Sequence, residues 1–445
     1  MQRESPFGAA TQPSKTPAFL GAHLSWPFER RGRPFVLRIV EPREYRPAGH
    51  AELFYAVVNE LLNPSEKALD AYTPMMEPPK LARFDLATFP EAFVPVEALV
   101  NALSGIAGYG PSGCIHVGLR PAEDDTHLFS LKQVQDLVER LLAVSAKAEE
   151  DLSQLRTWLA RQCGDRWFNL GCLFAVDANG ELRICLHPKA VRSQFETNPL
   201  PERHMAEADM LTLVTLTPVD KQYLTISLQP LICSDLLNLN TDRPAGGPLV
   251  AVNRHPDSFP GGLPDHIDIV SVATCTPQTK SRLKNDTTHR VWHEKFLDAF
   301  VSVASGSDYA RHHFSAVVLA NFREISVTTV GGLSGVFLPV PPRYENFPKG
   351  IEISCWGKGP AGGNNRWSSP DDNALQEWKN RGFVACLAPS SVEDEKVRIF
   401  CCSIQRLPRE NSLWATPDSL SQCGVHVGDA GTTGTFSFKW IGAHV

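Results

Sequence analysis

Short apolar runs of strand length alternate with longer stretches of helical periodicity along this chain, and that alternation confines it to a layered α/β fold. Phe35 to Val40 reads as a strand and Ala51 to Leu62 as a helix. Ala82 to Phe89 is a second strand, and Pro95 to Ile106 a second helix with its proline in the first turn, where the missing N–H costs nothing. Cys114 to Leu119 is a third strand, and Ser130 to Arg161 is expected to form one long helix. Trp167 to Val176 and Leu182 to Leu186 flank Asn179-Gly180, a hairpin signal because both residues tolerate positive φ. Tyr223 to Cys233, Ile267 to Ala273 and Phe314 to Ala320 are strand-like, with a helix at His289 to Val303 between the last two.

Composition divides the chain further. Residues 1–33, rich in Pro, Gly, Ser and Arg, read as an irregular N-terminal arm. Residues 240–266 and 341–372 are dense in loop-forming residues. The second stretch sets off a C-terminal extension, 341–445, with strands at Phe383–Leu387, Val397–Ile404 and Thr435–Trp440. The main body is expected at 34–340, with strands up to about residue 408 available to complete its sheets.

With 42% hydrophobic and 21% charged residues, the chain has ample material for a core. A formal charge of -6 argues against a partner nucleic acid held by direct contact. No apolar run approaches the roughly 20 residues of a membrane helix, and no apolar segment follows Arg3, so no membrane association and a cytoplasmic location are expected. The eleven cysteines are scattered without a Cys-x-x-Cys pair, which points to reduced thiols and no metal site.

Three strand ends carry chemistry. Glu91 follows Phe89-Pro90, Lys189 follows the hairpin arm ending His187-Pro188, and Cys233 follows Leu231-Ile232. Taken singly, each has a plain alternative: a solvated loop glutamate, a solvated lysine, a buried small hydrophobe. Together they supply a general base, an ammonium for a developing oxyanion and a nucleophile, as acyl transfer through a thioester needs. Ser234 offers its backbone N–H as a second oxyanion donor beside Asp235, and Glu196 could hold Lys189 charged. Gly108-x-Gly110-x-x-Gly113 sits between a helix and a strand, the reverse of the order a phosphate-binding turn needs. His312-His313 point apart and lack a spaced carboxylate. No Gly-x-Ser-x-Gly elbow or P-loop is present.

Phe89-Pro90-Glu91-Ala92-Phe93, Phe168-Asn169, Asp177-Ala178-Asn179-Gly180 with His187-Pro188-Lys189, and Leu231-Ile232-Cys233-Ser234-Asp235 resemble, in that order, the motifs of the nitrilase, or carbon–nitrogen hydrolase, superfamily. Asp268 to Val272, Trp292, Ala316 to Asn321 and Gly331 to Gly335 follow the same order. The resemblance implies a four-layer αββα sandwich that assembles as a dimer or higher homo-oligomer. It implies Glu91, Lys189 and Cys233 as catalytic triad, Glu196 as auxiliary glutamate, and no cofactor. It implies hydrolysis of a small-molecule amide, in preference to a nitrile, through a Cys thioester. Ser234 and Leu236-Leu237-Asn238 depart from the family's usual residues after the nucleophile. The resemblance also allows a second role, a regulatory or assembly module of a bacterial antiviral defence system acting with a protein partner.

Overall fold

In a computed structural model of the chain the apolar runs pair into two large sheets. It describes residues 20–30, 35–45, 49–63, 84–106, 108–122, 126–193, 196, 203–237, 259, 267–278, 316–326, 329–331, 334–339, 383–387, 396–409, 412–419, 424–429 and 436–441. The long strands are β1 (Leu20–Phe28), β2 (Phe35–Pro42), β3 (Leu86–Thr88), β4 (Cys114–Arg120), β5 (Leu170–Val176), β6 (Leu182–Pro188) and β7 (Met210–Pro218). They continue with β8 (Ile226–Ile232), β9 (Ile269–Ala273), β10 (Ala316–Ala320), β11 (Gly335–Pro339), β12 (Phe383–Leu387), β13 (Val397–Arg409) and β14 (Ser412–Ser419). One sheet runs β1-β7-β8-β9-β10-β11-β12 and the other β14-β13-β2-β3-β4-β5-β6.

Period-two alternation decides what each face meets. Leu37 and Ile39 of β2, Leu173 of β5 and Cys185 of β6 point into an apolar cluster shared with Leu228, Ile269 and Val318 of the other sheet. Their neighbours Val40, Cys172, Phe174 and Ile184 point the other way and meet helices. Those helices are α1 (His50–Leu62), α2 (Val96–Ile106), α3 (Leu131–Val144), α4 (Ala148–Asp151) and α5 (Ser153–Leu159). In α3, Val134, Leu137, Val138 and Leu141 form the buried stripe, each such aliphatic side chain contributing about 1.5–3 kcal/mol on full burial. Ser130 starts α3 with a capping box: its hydroxyl accepts from Gln133 N–H, and Gln133 Oε1 accepts from Ser130 N–H at 2.8 Å.

The structure corrects several expectations. The single helix at Ser130 to Arg161 is three, α3, α4 and α5. Ser145 leaves the helix to donate its hydroxyl to Leu182 O at 2.5 Å, and then accepts from Lys147 N–H. Asp151 is buried where it bonds both Nε and Nη2 of Arg183, the Ile184 N–H and Trp26 Nε1, and this anchor fixes α4 against β6. The irregular arm contains β1, which pairs with β7 in parallel along all nine residues. Pro27 is tolerated because β1 lies at a sheet edge. Pro95 is not in the first helical turn; it pairs with Arg120 just before α2 begins. Strands beyond residue 340 join both sheets: β13 pairs with β2 and extends to Arg409, and β12 pairs with β11 at the end of the other sheet. The helix expected at His289 to Val303, His312-His313, Trp292 and the stretch 341–372 lie outside the described residues, as does 240–266 apart from Phe259. Among the described residues, no helix is long and apolar enough to cross a membrane.

Candidate active site

Glu91 is delivered by a tight turn after β3. Phe89 N–H bonds His116 O and Glu91 N–H bonds Thr274 O at 3.2 Å, so the turn is held by strands of both sheets. Ala92 then takes φ 56, a left-handed conformation unusual for a residue with a Cβ. Arg120 Nε holds it there, donating to Ala92 O at 2.6 Å. Gly118 on β4 lies beneath: a Cβ there would fall 2.3 Å from Glu91 Cα, so only glycine lets the turn come this close.

Lys189 follows β6 and is fully buried. Its backbone is pinned by Lys189 N–H to Asn169 O at 2.8 Å and by Ala208 N–H to Lys189 O. Its ammonium donates to Glu91 Oε1 at 2.8 Å and to Glu196 Oε1. Asn169, in the break before β5, donates Nδ2 to the same two oxygens, at 2.7 Å to Glu91 and 3.0 Å to Glu196. Glu196 Oε2 accepts from Ser193 N–H at 2.5 Å, and His127 Nε2 lies 3.8 Å from its Oε1. Cys275 N–H donates to Glu91 Oε2 at 3.1 Å. Burial alone would discharge these groups. Burial pushes Lys189 down, but the Glu196 and Glu91 carboxylates override it and raise the amine well above its ordinary range. Burial likewise pushes Glu196 up, and Lys189 and His127 outweigh it, holding the carboxyl well below the ordinary range.

Cys233 follows β8 as the first residue of a short 3₁₀ turn, Cys233–Leu237, and has φ 45. It is the second left-handed non-glycine residue among those described, and both flank this site. Burial and the Glu91 charge raise the thiol well above its ordinary range, while the Lys189 ammonium pulls it down. The two charged partners therefore both act on the sulfur.

Asp235 stitches the lysine and cysteine strands together. Its Oδ1 accepts Ala190 N–H at 2.9 Å and Val191 N–H at 2.7 Å, and its Oδ2 accepts Ile232 N–H at 3.1 Å. Burial pushes this carboxyl up to about 7 against the pull of Lys189 and those three amides. The Ser234 hydroxyl spans the same gap, donating to Val191 O at 2.5 Å.

The structure thus brings Glu91, Lys189 and Glu196 into one buried hydrogen-bonded cluster, leaves the buried Cys233 thiol within reach of the Glu91 and Lys189 charges, and gives Ser234 and Asp235 the task of joining two strand ends. Sequence reasoning missed Asn169, His127 and Cys275 as members. Asn169 carried a signal, a polar residue between Phe168 and Leu170 in an otherwise apolar run. His127 and Cys275 carried none, because only the tertiary fold brings them here. Glu91, His127 and Glu196 offer ligand atoms within 4.8 Å of one another, as a metal site would. The Lys189 ammonium bonds both carboxylates at that point and already supplies the positive charge. No family model matches the chain, and no curated protein matches it either.

Proposed function

We propose that this chain is a thiol-dependent hydrolase of non-peptide C–N bonds, an amidase in preference to a nitrilase, on an αββα sandwich of the nitrilase type. One observation carries the reading: a buried ammonium is clamped between Glu91 and Glu196, and the Glu91 and Lys189 charges both act on the thiol of a strained strand-end cysteine. Two packed sheets with helices on one outer face agree with three of the four layers.

The raised thiol dictates the order of events. Cys233 rests as S–H at neutral pH, so its proton leaves during attack, to Glu91, rather than beforehand. As the proton moves to the carboxylate, the sulfur bonds the amide carbon and the carbonyl electron pair moves onto oxygen. An ammonium has three donors, and Lys189 uses two on Glu91 and Glu196, leaving one for this oxyanion. Glu91 returns the proton to nitrogen as the C–N bond breaks, and the amine departs from a thioester. Water then gives a proton to Glu91 and bonds the acyl carbon. The C–S bond breaks, the sulfur regains the proton, and a carboxylic acid leaves.

The test is a panel of simple aliphatic and aromatic amides with Cys233→Ala beside wild type. Wild type is expected to release amine and to show an acyl mass adduct on the peptide containing Cys233. Turnover that survives in Cys233→Ala would sink the proposal.

A further inference from the structure

Four buried polar groups outside the catalytic cluster form one hydrogen-bonded chain between the two sheets. Thr88 Oγ1 on β3 lies 2.8 Å from Ser271 Oγ on β9, and Ser271 Oγ lies 2.8 Å from His116 Nδ1 on β4. His116 Nε2 lies 3.1 Å from His187 Nε2 on β6. His187 leans across β5 to reach its partner, directly over Gly171, where a Cβ would fall 2.4 Å from His187 Nε2. The surroundings are the apolar cluster between the sheets, so four polar groups there are conspicuous.

Burial keeps both imidazoles neutral: it pushes His187 down to about 3 and His116 well below its ordinary range. A neutral ring carries one N–H, so the Nε2···Nε2 contact holds a single proton, donated by one ring and accepted by the other. The remaining links take their direction from it, and the chain is satisfied only as a unit.

Each end leads to the proposed site. Thr88 is three residues before Glu91, and His187, near the end of β6, is two before Lys189. Ser271 lies on the strand that runs on to Thr274 and Cys275, whose backbones bond Glu91. Building on the hydrolase reading above, we propose that His116 and His187 are positioning residues, which lock the strands of Glu91 and Lys189 at the separation that lets both act on Cys233. Angström-scale misplacement of such groups costs on the order of 100-fold in rate, which is the scale of effect available to this pair.

The experiment reads the site without a substrate: the rate of Cys233 alkylation by iodoacetamide against pH, by peptide mass spectrometry, with exposed Cys163 as internal reference. His187→Leu is expected to remain folded by thermal melt. Its Cys233 rate should fall about tenfold at neutral pH and its midpoint should move up as Lys189 withdraws. His187→Gln, which restores a hydrogen-bonding side chain, is expected to recover much of both. A folded His187→Leu whose Cys233 profile superimposes on wild type overturns the proposal. If His187→Leu does not fold, Thr88→Val and Ser271→Ala interrupt the same chain by one hydroxyl, and an unshifted profile in both overturns it. Shifted profiles in a protein that hydrolyses no amide would leave the positioning role standing and remove the hydrolase reading alone.

Discussion

Asn169 Nδ2 lies 2.7 Å from Oε1 of Glu91, the same oxygen that Lys189 reaches at 2.8 Å. One neutral donor and one charged donor thus share a carboxylate oxygen, and both repeat the arrangement on Glu196. Hydrogen bonds to charged groups contribute about 1.5–3 kcal/mol each. Asn169→Ala is therefore expected to lower amide turnover by about tenfold to 100-fold while Cys233 is still alkylated. Turnover by Asn169→Ala equal to wild type would remove Asn169 from the site.

Lys189 is a buried charge whose loss leaves two carboxylates facing each other. Removing one partner of such a pair costs about 3–5 kcal/mol, and removing one oxyanion donor costs about 10²–10³ in rate. Lys189→Met is expected to show both effects. Adding Glu196→Gln deletes one stranded carboxylate, so the double variant should recover stability in urea unfolding without recovering turnover. A double variant less stable than Lys189→Met alone would contradict this account.

Glu196 and Asp235 should shape the pH dependence of stability with opposite signs. The Glu196 carboxyl is held below its ordinary range, so its contribution is present above about pH 4.5 and lost as pH falls through its folded value. Asp235 is raised to about 7, so between about pH 4 and 7 the folded state holds a proton that the unfolded chain releases, and stability declines as pH rises through that window. Asp235→Asn should abolish that decline, while costing stability throughout because an amide cannot accept from Ala190, Val191 and Ile232 on both of its atoms. Urea titrations of both proteins at half-unit pH steps measure the slopes. An unchanged slope in Asp235→Asn would exclude Asp235 as its source.

Gly118→Ala places a methyl group 2.3 Å from Glu91 Cα and 2.7 Å from Ala92 N. Both are backbone atoms, so no side chain can swing aside. The turn must shift, at a cost of about 1–3 kcal/mol for overpacking. Loss of turnover on the order of 100-fold, with a lowered melting temperature, is expected. Wild-type values for both would show that the turn adapts freely.

Much of this arrangement is legible residue by residue. Strand-end positions single out Glu91, Lys189 and Cys233, because each comes at or just after the end of an apolar run. The partners that tune them are less so: Asn169 shows as a polar residue in an apolar run, but His127 and Cys275 reach the cluster only through the tertiary fold. The long helix from Ser130 illustrates the opposite error: its periodicity continues through Ser145, and only the Leu182 carbonyl, brought close by the fold, competes for that hydroxyl. β1 was hidden for a similar reason. Its residues Leu24, Trp26 and Phe28 alternate as a strand requires, but the surrounding Pro, Gly and Arg content masks them.

The pairing of β2 with β13 joins Pro42 to Val397 and Phe35 to Ile404. A ribosome that has made β2, β3 and β4 must therefore synthesise every strand from β5 to β12 before the open side of β2 finds its neighbour. Until then the nascent protein presents an unpaired apolar edge, and contacts this distant in sequence form slowly. A chain ending before Val397 keeps that edge permanently and is expected to pellet during expression, whereas co-expressing 390–445 as a separate fragment should return part of it to the soluble fraction. β13 thus covers the edge of β2 only long after β2 itself has been made.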